Sequence, residues 1–397
     1  VADVRDIEVR TAGERTRPPF WRDIRVIRGV LQLSFLLAAV ALVRWLAGNV
    51  VTNLDRIGIR RDFGFLDQPA GYRILGSEFQ AQGRIREALL VGLGNTVRVA
   101  LIGVLLALAI GVVVGVARLS TNWLVARSAS IFVEALRNVP PLVLVIFFYL
   151  AVIAALPRIE DARQIGSAAI VSNRGIWVAW FTVGEGSRSY GIALLVGFAL
   201  AGLVARWRTR RFDSTGVPHH RLLFALLTLL AFGALAWAVL DPPITASLPV
   251  QDGRLVEGGL WLYPEYLSLL ISLVLYAASF IAEIVRGSIL AVHRGQSEAA
   301  DALGLSRSHR MRYVILPQAL RIAAPAMGNE FLNLTKNVSL GIAVGFAEIL
   351  RVATQAVGNG QPAPQLLLLV LLAYLALSLI ISVVVNIYNR RLQLVER

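Results

Sequence analysis

From Leu101 to Ala117, and again from Leu366 to Val385, the chain runs without a charged side chain. A bilayer core about 30 Å thick is crossed by roughly 20 apolar residues in an α-helix. In hydrocarbon the backbone must satisfy its own N–H and C=O groups, which a helix does within one segment. Runs of this length therefore constrain the fold more than any other feature. Only 16% of the 397 residues are charged and the mean hydropathy is +0.66, where soluble domains carry about 25% charge. The sequence reads as an all-α polytopic membrane protein.

Windows of membrane length give eight candidate spans, near residues 27–47, 95–117, 138–156, 191–205, 222–240, 266–285, 326–347 and 366–388. Most are plain Leu/Val/Ala/Ile runs. The seventh is interrupted by Asn329, Glu330, Asn333, Lys336 and Asn337. No span closely repeats another, and no segment is of low complexity.

Arginine sets the expected orientation, because loops on the cytoplasmic side carry an excess of basic residues. With both termini inside, segments 1–28, 118–137, 206–221, 286–321 and 389–397 hold 24 arginines, against 12 in the four outside loops. The richest are the N-terminal tail (Arg5, Arg10, Arg15, Arg17, Arg22, Arg25, Arg28) and Arg206-Trp207-Arg208-Thr209-Arg210-Arg211. Loop 48–87 opposes the rule with Arg56, Arg60, Arg61, Arg73, Arg84 and Arg86. It is balanced by Asp55, Asp62, Asp67, Glu78 and Glu87. The first span has the basic flank of a secretory signal, but its length, its internal Arg44 and the lack of a small-x-small cleavage site favour a retained helix. Trp177, Trp180, Tyr190, Trp261, Tyr263 and Tyr266 in the outside loops are expected to anchor at the membrane interface.

Composition also excludes functions. The net charge of +14 would suit a nucleic-acid binder, but these arginines flank membrane spans. There is no cysteine, so no disulfide framework, thiolate nucleophile or thiolate metal site. Lys336 is the only lysine; it is followed by Asn337 and has no upstream glycine pair, so a phosphate-cradling P-loop is absent. Any ATP used is hydrolysed by another chain. His219-His220 beside Pro218 lacks carboxylate company and reads as a solvated loop. No Ser/His/Asp set, paired carboxylates or metal-ligand spacing stands out, so no enzyme site, cofactor or metal is expected.

The segment after the sixth span reads Ser297-Glu298-Ala299-Ala300-Asp301-Ala302-Leu303-Gly304, continuing to Val314-Ile315-Leu316-Pro317. The spacing predicts a short helix over about 296–303, stopped by Gly304 in a C-cap role. A second amphipathic piece follows, and Pro317 marks re-entry towards the membrane. Ala299, Ala300 and Ala302 should leave a flat face for a close protein neighbour, with Glu298 and Asp301 near the helix start favouring its dipole.

This pattern resembles the EAA signature of ABC importer permeases: Glu-Ala-Ala, three residues, Gly, nine residues, then Ile-x-Leu-Pro. Glu298, Ala299, Ala300, Gly304, Leu316 and Pro317 match, and Val314 replaces Ile. Gly94-Asn95-Thr96-Val97-Arg98, Glu134-Ala135-Leu136-Arg137-Asn138-Val139-Pro140-Pro141-Leu142, and Gly328-Asn329 through Lys336-Asn337-Val338-Ser339-Leu340 resemble further stretches of the amino-acid permeases. The resemblance covers about half the chain, 91–156 and 264–390. It divides the sequence into a tail, added helix and outer loop (1–90), two core parts (91–157 and 264–390), an insertion with two added helices (158–263), and a C-terminal tail (391–397). Extended architecture of this kind resembles one permease of the general L-amino-acid transporters of Gram-negative bacteria.

The resemblance implies a type I importer permease in the bacterial inner membrane. Its 296–317 loop would dock on a dimer of cytoplasmic ABC ATPases. A periplasmic binding protein would deliver L-amino acid, and a second permease subunit would complete the pore. The bilayer is its surroundings, and no nucleic acid is involved.

At about 100° per residue, Asn329, Asn333, Lys336, Asn337 and Leu340 share one quadrant of the seventh span, opposite Phe331, Leu334, Val338 and Ile342. Such groups at membrane depth face a wet cavity or another helix. They are read as a substrate-path lining or as amide bonds between helices. Lys336 has Glu330 and Glu348 as possible partners, and Glu283 with Arg286 reads as a structural ion pair. Two rivals remain: an ion-gradient-driven transporter, against which the scarcity of mid-span carboxylates weighs, and a membrane scaffold whose loop only resembles the signature.

Overall fold

The computed structural model describes residues 21, 23–56, 58, 62–216 and 220–392. The tail arginines before Trp21, with Arg22, Arg60, Arg61, His219 and residues 393–397, lie outside them. Two compact units divide at Gly64. The first is α1 (Ile24–Arg56), a single helix with an apolar stretch over Val26–Asn53.

The second unit opens with α2 (Ile85–Ala117), α3 (Trp123–Arg137) and α4 (Pro141–Phe147). Strands β1 (Arg163–Ile165), β2 (Ala169–Ser172), β3 (Gly175–Val178) and β4 (Trp180–Val183) lead into α5 (Ser187–Thr215) and α6 (Arg221–Val239). Strands β5 (Ile244–Ser247), β6 (Val250–Asp252), β7 (Leu255–Glu257) and β8 (Leu260–Leu262) lead back to α7 (Pro264–Leu290). The chain ends with α8 (Arg294–Ala302), α9 (Arg307–Arg310), α10 (Leu316–Asn337), α11 (Ile349–Gly358) and α12 (Ala363–Leu392). Among the described residues six helices are long and apolar enough to cross a membrane, and there are up to eight spans if each of two bent pairs counts as one.

The bent pairs fall at the third and seventh expected spans. Segment 118–137, expected as a loop, is mostly helix α3, and the chain turns by 100° between it and α4. Pro140 and Pro141 cause the turn: a proline disfavours helical geometry in the residue before it and sits well at a helix start. A π turn, Phe148–Ile153, extends α4, so the apolar part of this span is shorter than a full crossing. In the seventh span α10 stops at Asn337, and a 3-10 stretch (Val338–Val344) precedes α11.

The breaks need polar groups to satisfy freed backbone at membrane depth. Asn95 on α2 donates to the Ala347 carbonyl at 2.9 Å, and Thr96 accepts the Ile349 N–H at 3.2 Å. Glu348 is fully buried, accepts from the N–H groups of Leu350 and Arg351 at 2.7 and 2.6 Å, and takes a bond from the Tyr374 hydroxyl at 2.9 Å. It is an N-cap held in place by α12.

The loops flanking α5 and α6 form short antiparallel strands: a sheet in the order β1-β2-β3-β8, and the pairs β4–β5 and β6–β7. Pairing of β3 with β8 sets Trp177 opposite Trp261, whose rings stack at 5.7 Å. Trp177 is buried, so it belongs to the core of this cap and does not serve as the interface anchor expected from sequence. Tyr190 is likewise turned inward, its hydroxyl bonding the Gly233 carbonyl of α6 at 3.2 Å. Trp180 is exposed.

The centre of the second unit is the contact of α2 with α7. Gly103, Ala107, Gly111 and Gly115 of α2, four residues apart, are all buried, Gly103 facing Leu334 of α10 and the last two facing α7. A Cβ on Gly111 would lie 2.6 Å from Ile281 Cγ2, and one on Gly115 would lie 2.7 Å from the Ala282 carbonyl oxygen. Small residues at this spacing let two membrane helices approach closely enough for backbone packing. Gly111→Leu should lower the thermal unfolding temperature of the detergent-purified chain, at a cost of about 1–3 kcal/mol or more from overpacking. Gly94→Ala, whose Cβ would meet nothing within 4 Å, should be neutral or mildly stabilising.

Candidate functional site

The segment between α7 and α10 is a compact helical turn. In α8 the His293 ring nitrogen accepts the Gly295 N–H at 3.1 Å, which starts the helix two residues earlier than expected. Its end is a Schellman closure: Leu305 N–H bonds the Ala300 carbonyl at 3.1 Å, and Gly304 N–H bonds that of Asp301 at 3.0 Å. Gly304 has a φ of +73°, in the left-handed region that glycine adopts most cheaply. The expected stop is therefore formed by the expected residue.

The earlier start changes the electrostatic reading. Glu298 sits mid-helix and Asp301 in the last turn, where the dipole disfavours a carboxylate. Arg310 of α9 pairs with Asp301 and offsets this, tying α8 to α9. The flat face also differs. Ala300 is 2% exposed and turned inward, whereas Glu298, Ala299 and Ala302 face out. Leu303, 80% exposed, extends the outward face; Leu316 and Pro317, at the start of α10, are exposed as well. Gln318 donates to the Gln296 side chain at 3.1 Å, so the start of α10 is joined to α8.

A cavity of about 180 Å³ lies between α7 and α10, lined by Tyr276, Phe280, Glu330, Asn333, Lys336 and Asn337. Three of the four polar residues singled out in the sequence are thus brought together, and Asn329, exposed on the same helix, is outside the cavity. The helical-wheel placement of Leu340 fails, because α10 has already tightened to 3-10 geometry there. Leu334 and Val338 do occupy the core. Glu330 is buried and shares the cavity lining with Asn333, three residues on. Among the described residues Lys336 forms no ion pair with Glu330 or Glu348.

Below the cavity the expected Glu283–Arg286 pair, at 3.2 Å, is one arm of a larger knot. Glu283 is also bound by Arg118, which caps the end of α2 with its side chain 9% exposed, and lies 3.5 Å from Arg137 at the end of α3. Arg137 stacks over Phe280 at 5.1 Å, so the knot touches the cavity wall. Tyr276, Phe280 and Glu283 form one stripe of α7, spaced by four and three residues. Sequence reading missed Arg118 and Arg137 as partners. The available signal was one arginine at each helix end facing an acid near the end of a span.

A polytopic helical chain with a capped, exposed helix between two spans, and a polar cavity between the same two spans, has the parts of a transport permease. The comparisons make this particular. Residues 103–394 match the family described as binding-protein-dependent transport system inner membrane component. The general L-amino acid transport system permease protein AapQ of Rhizobium johnstonii is 38% identical, with 92% of each chain covered. The putative amino-acid ABC transporter permease protein YhdX of Escherichia coli is 35% identical over 93% of this chain and 94% of its own. The glutamate/glutamine/aspartate/asparagine transport system permease protein BztB of Rhodobacter capsulatus is 36% identical over 94% and 96%. The chain belongs to this family of binding-protein-dependent transport permeases and is a multi-pass inner-membrane ABC permease.

Glu283→Gln should leave Arg118 buried without its counter-charge and loosen the junction of α2, α3 and α7. A stability loss of about 1–3 kcal/mol is expected, below the fully buried case because Glu283 is partly exposed. Thermal unfolding in lipid nanodiscs measures it, and an unchanged transition would contradict the role given to the knot.

Proposed function

We propose that the chain is a transmembrane subunit of an ATP-driven importer that takes L-amino acids, polar or broad in range, from a periplasmic binding protein by alternating access. The observation that carries this reading is the 294–317 segment: a helix closed at both ends that presents Glu298, Ala299, Ala302 and Leu303 outward. Such a rigid, small-residue face suits docking in a cleft of a cytoplasmic ATPase dimer. Its links through Arg310 and Gln318 would pass the ATPase movement to α10. The substrate class rests on the names of the relatives, which are general or acidic and amide amino-acid permeases.

The surface of α10 supports a second permease subunit. Asn329, Asn333 and Lys336 are exposed on a helix at membrane depth, where lipid is a poor neighbour for amides and an ammonium. A partner chain facing this surface would enclose the cavity as a passage, with Asn333, Lys336 and Asn337 contacting the amino acid's polar groups. Asn329 would line its continuation. In this reading the 91–157 and 264–390 parts form the transport core, both termini are cytoplasmic, and ATP hydrolysis belongs to a separate chain. Glu348, bonded as a helix cap, is a poor candidate for an ion-coupling carboxylate, which argues against gradient-driven transport.

Glu298→Lys or Gly304→Val should reduce amino-acid uptake at least about tenfold while membrane insertion persists, the valine because a left-handed φ is strained for a β-branched residue. Unchanged uptake would overturn the coupling role. Asn333→Leu and Lys336→Met in the reconstituted complex should weaken transport affinity or rate with normal assembly. Equal kinetics would leave these residues only a helix-packing role.

A further inference from the structure

The α5–α6 hairpin has no place in the mechanism above. Its helices pack chiefly on each other, with the Gly197 position against Phe232 and Tyr190 against Trp237. One end is closed by the β4–β5 pair, the other by Arg208, whose guanidinium stacks over the Phe224 ring of α6 at 4.1 Å. The outer faces of both helices are apolar and exposed over most of their length.

One outer stripe has a particular pattern. Ile192, Val196, Ala199, Leu203, Arg206 and Arg210 follow one another at intervals of three or four residues, so they lie on one face of α5. Ile192, Val196 and Leu203 are 58%, 46% and 63% exposed, and Arg206 and Arg210 are exposed beyond them. From Ile192 to Leu203 the helix rises about 16 Å at 1.5 Å per residue, close to half the hydrocarbon thickness of a bilayer. Two guanidiniums follow at the depth of the headgroups. Among the described residues neither Arg206 nor Arg210 has a carboxylate within ion-pair distance. Beside them Trp207 is 55% exposed, with Arg211 over its ring at 5.5 Å, and Arg221, exposed, opens α6 at the same end.

We propose that this stripe is a binding site for an anionic phospholipid. The phosphodiester is held by Arg206 and Arg210, and an acyl chain lies along Leu203, Val196 and Ile192. Arginine's planar fork matches a phosphate's oxygens two at a time and is more weakly hydrated than an ammonium, so it holds phosphate well at a membrane surface. Orientation by basic loops requires only that the charge be present. Here the charge continues an acyl-length apolar track, which selects a lipid over a soluble phosphate. Trp207, with an apolar ring and a polar edge, marks the interface depth. The α5–α6 hairpin thus gives the transporter a lipid-facing arm that responds to the anionic content of the membrane.

The test uses the complex containing the full chain, reconstituted in nanodiscs of mixed phosphatidylglycerol and phosphatidylethanolamine and released into native mass spectrometry. The chain should retain phosphatidylglycerol in preference to phosphatidylethanolamine. R206Q/R210Q should weaken that retention on the order of tenfold or more, since each basic side chain near the surface contributes a several-fold attraction. R84Q/R86Q, at arginines paired with Asp67, should leave retention unchanged. An equal melting temperature for R206Q/R210Q and the parent in phosphatidylcholine alone shows that folding is intact. Wild-type retention without preference for the anionic lipid, undiminished retention in R206Q/R210Q, or equal competition by glycerol phosphate without acyl chains would each overturn the proposal.

Discussion

Where α2 runs along α7, Gly111 and Gly115 remove the side chains that would hold the two backbones apart. In lipid no hydrophobic force drives helices together, so close van der Waals contact has to do it. Much else in the second unit depends on that approach. It brings the end of α2 near enough for Arg118 to grip Glu283. It sets α7's Tyr276 and Phe280 against the polar residues of α10, and it carries Asn95 and Thr96 to the break before α11.

That break and the turn between α3 and α4 follow from the same requirement for satisfied backbone. A membrane helix can stop short only where side chains or neighbouring helices accept the freed groups. Asn95, Thr96, Glu348 and Tyr374 supply them in the seventh span; Pro140 and Pro141 define the turn in the third. The small cavity lies between α7 and the part of α10 just before its break, and the knot at Glu283 lies on α7 between that cavity and the exposed helix α8. The cavity and the outward face of α8 are therefore connected through α7 and α10, the two helices that the loop joins.

The features carried by local pattern were legible in the sequence. Apolar runs gave the spans, because membrane thickness imposes a length on each. Gly304 and the alanines gave α8 and its stop, because a left-handed C-cap has a local signature. What escaped was non-local. Strands β3 and β8 are three to four residues each and pair across the whole α5–α6 hairpin, so neither carries a readable alternation. Arg118 and Arg137 reach Glu283 only once three helix ends converge. The helical wheel for the seventh span failed beyond Asn337 because it assumed one continuous helix, and the start of α8 was misjudged because a histidine ring served as its cap. Asn333, Lys336 and Asn337 could be grouped in advance because they precede that break.

The central claim is that α8 is the face through which ATPase movement reaches the membrane helices. The chain has no cysteine, so Leu303→Cys, at a position 80% exposed, provides a single reactive site. In the assembled transporter this thiol should cross-link to the ATPase subunit, with a yield that changes between the nucleotide-free and ATP-bound states. Free labelling by a hydrophilic thiol reagent in both states, with no cross-link in either, would contradict the account.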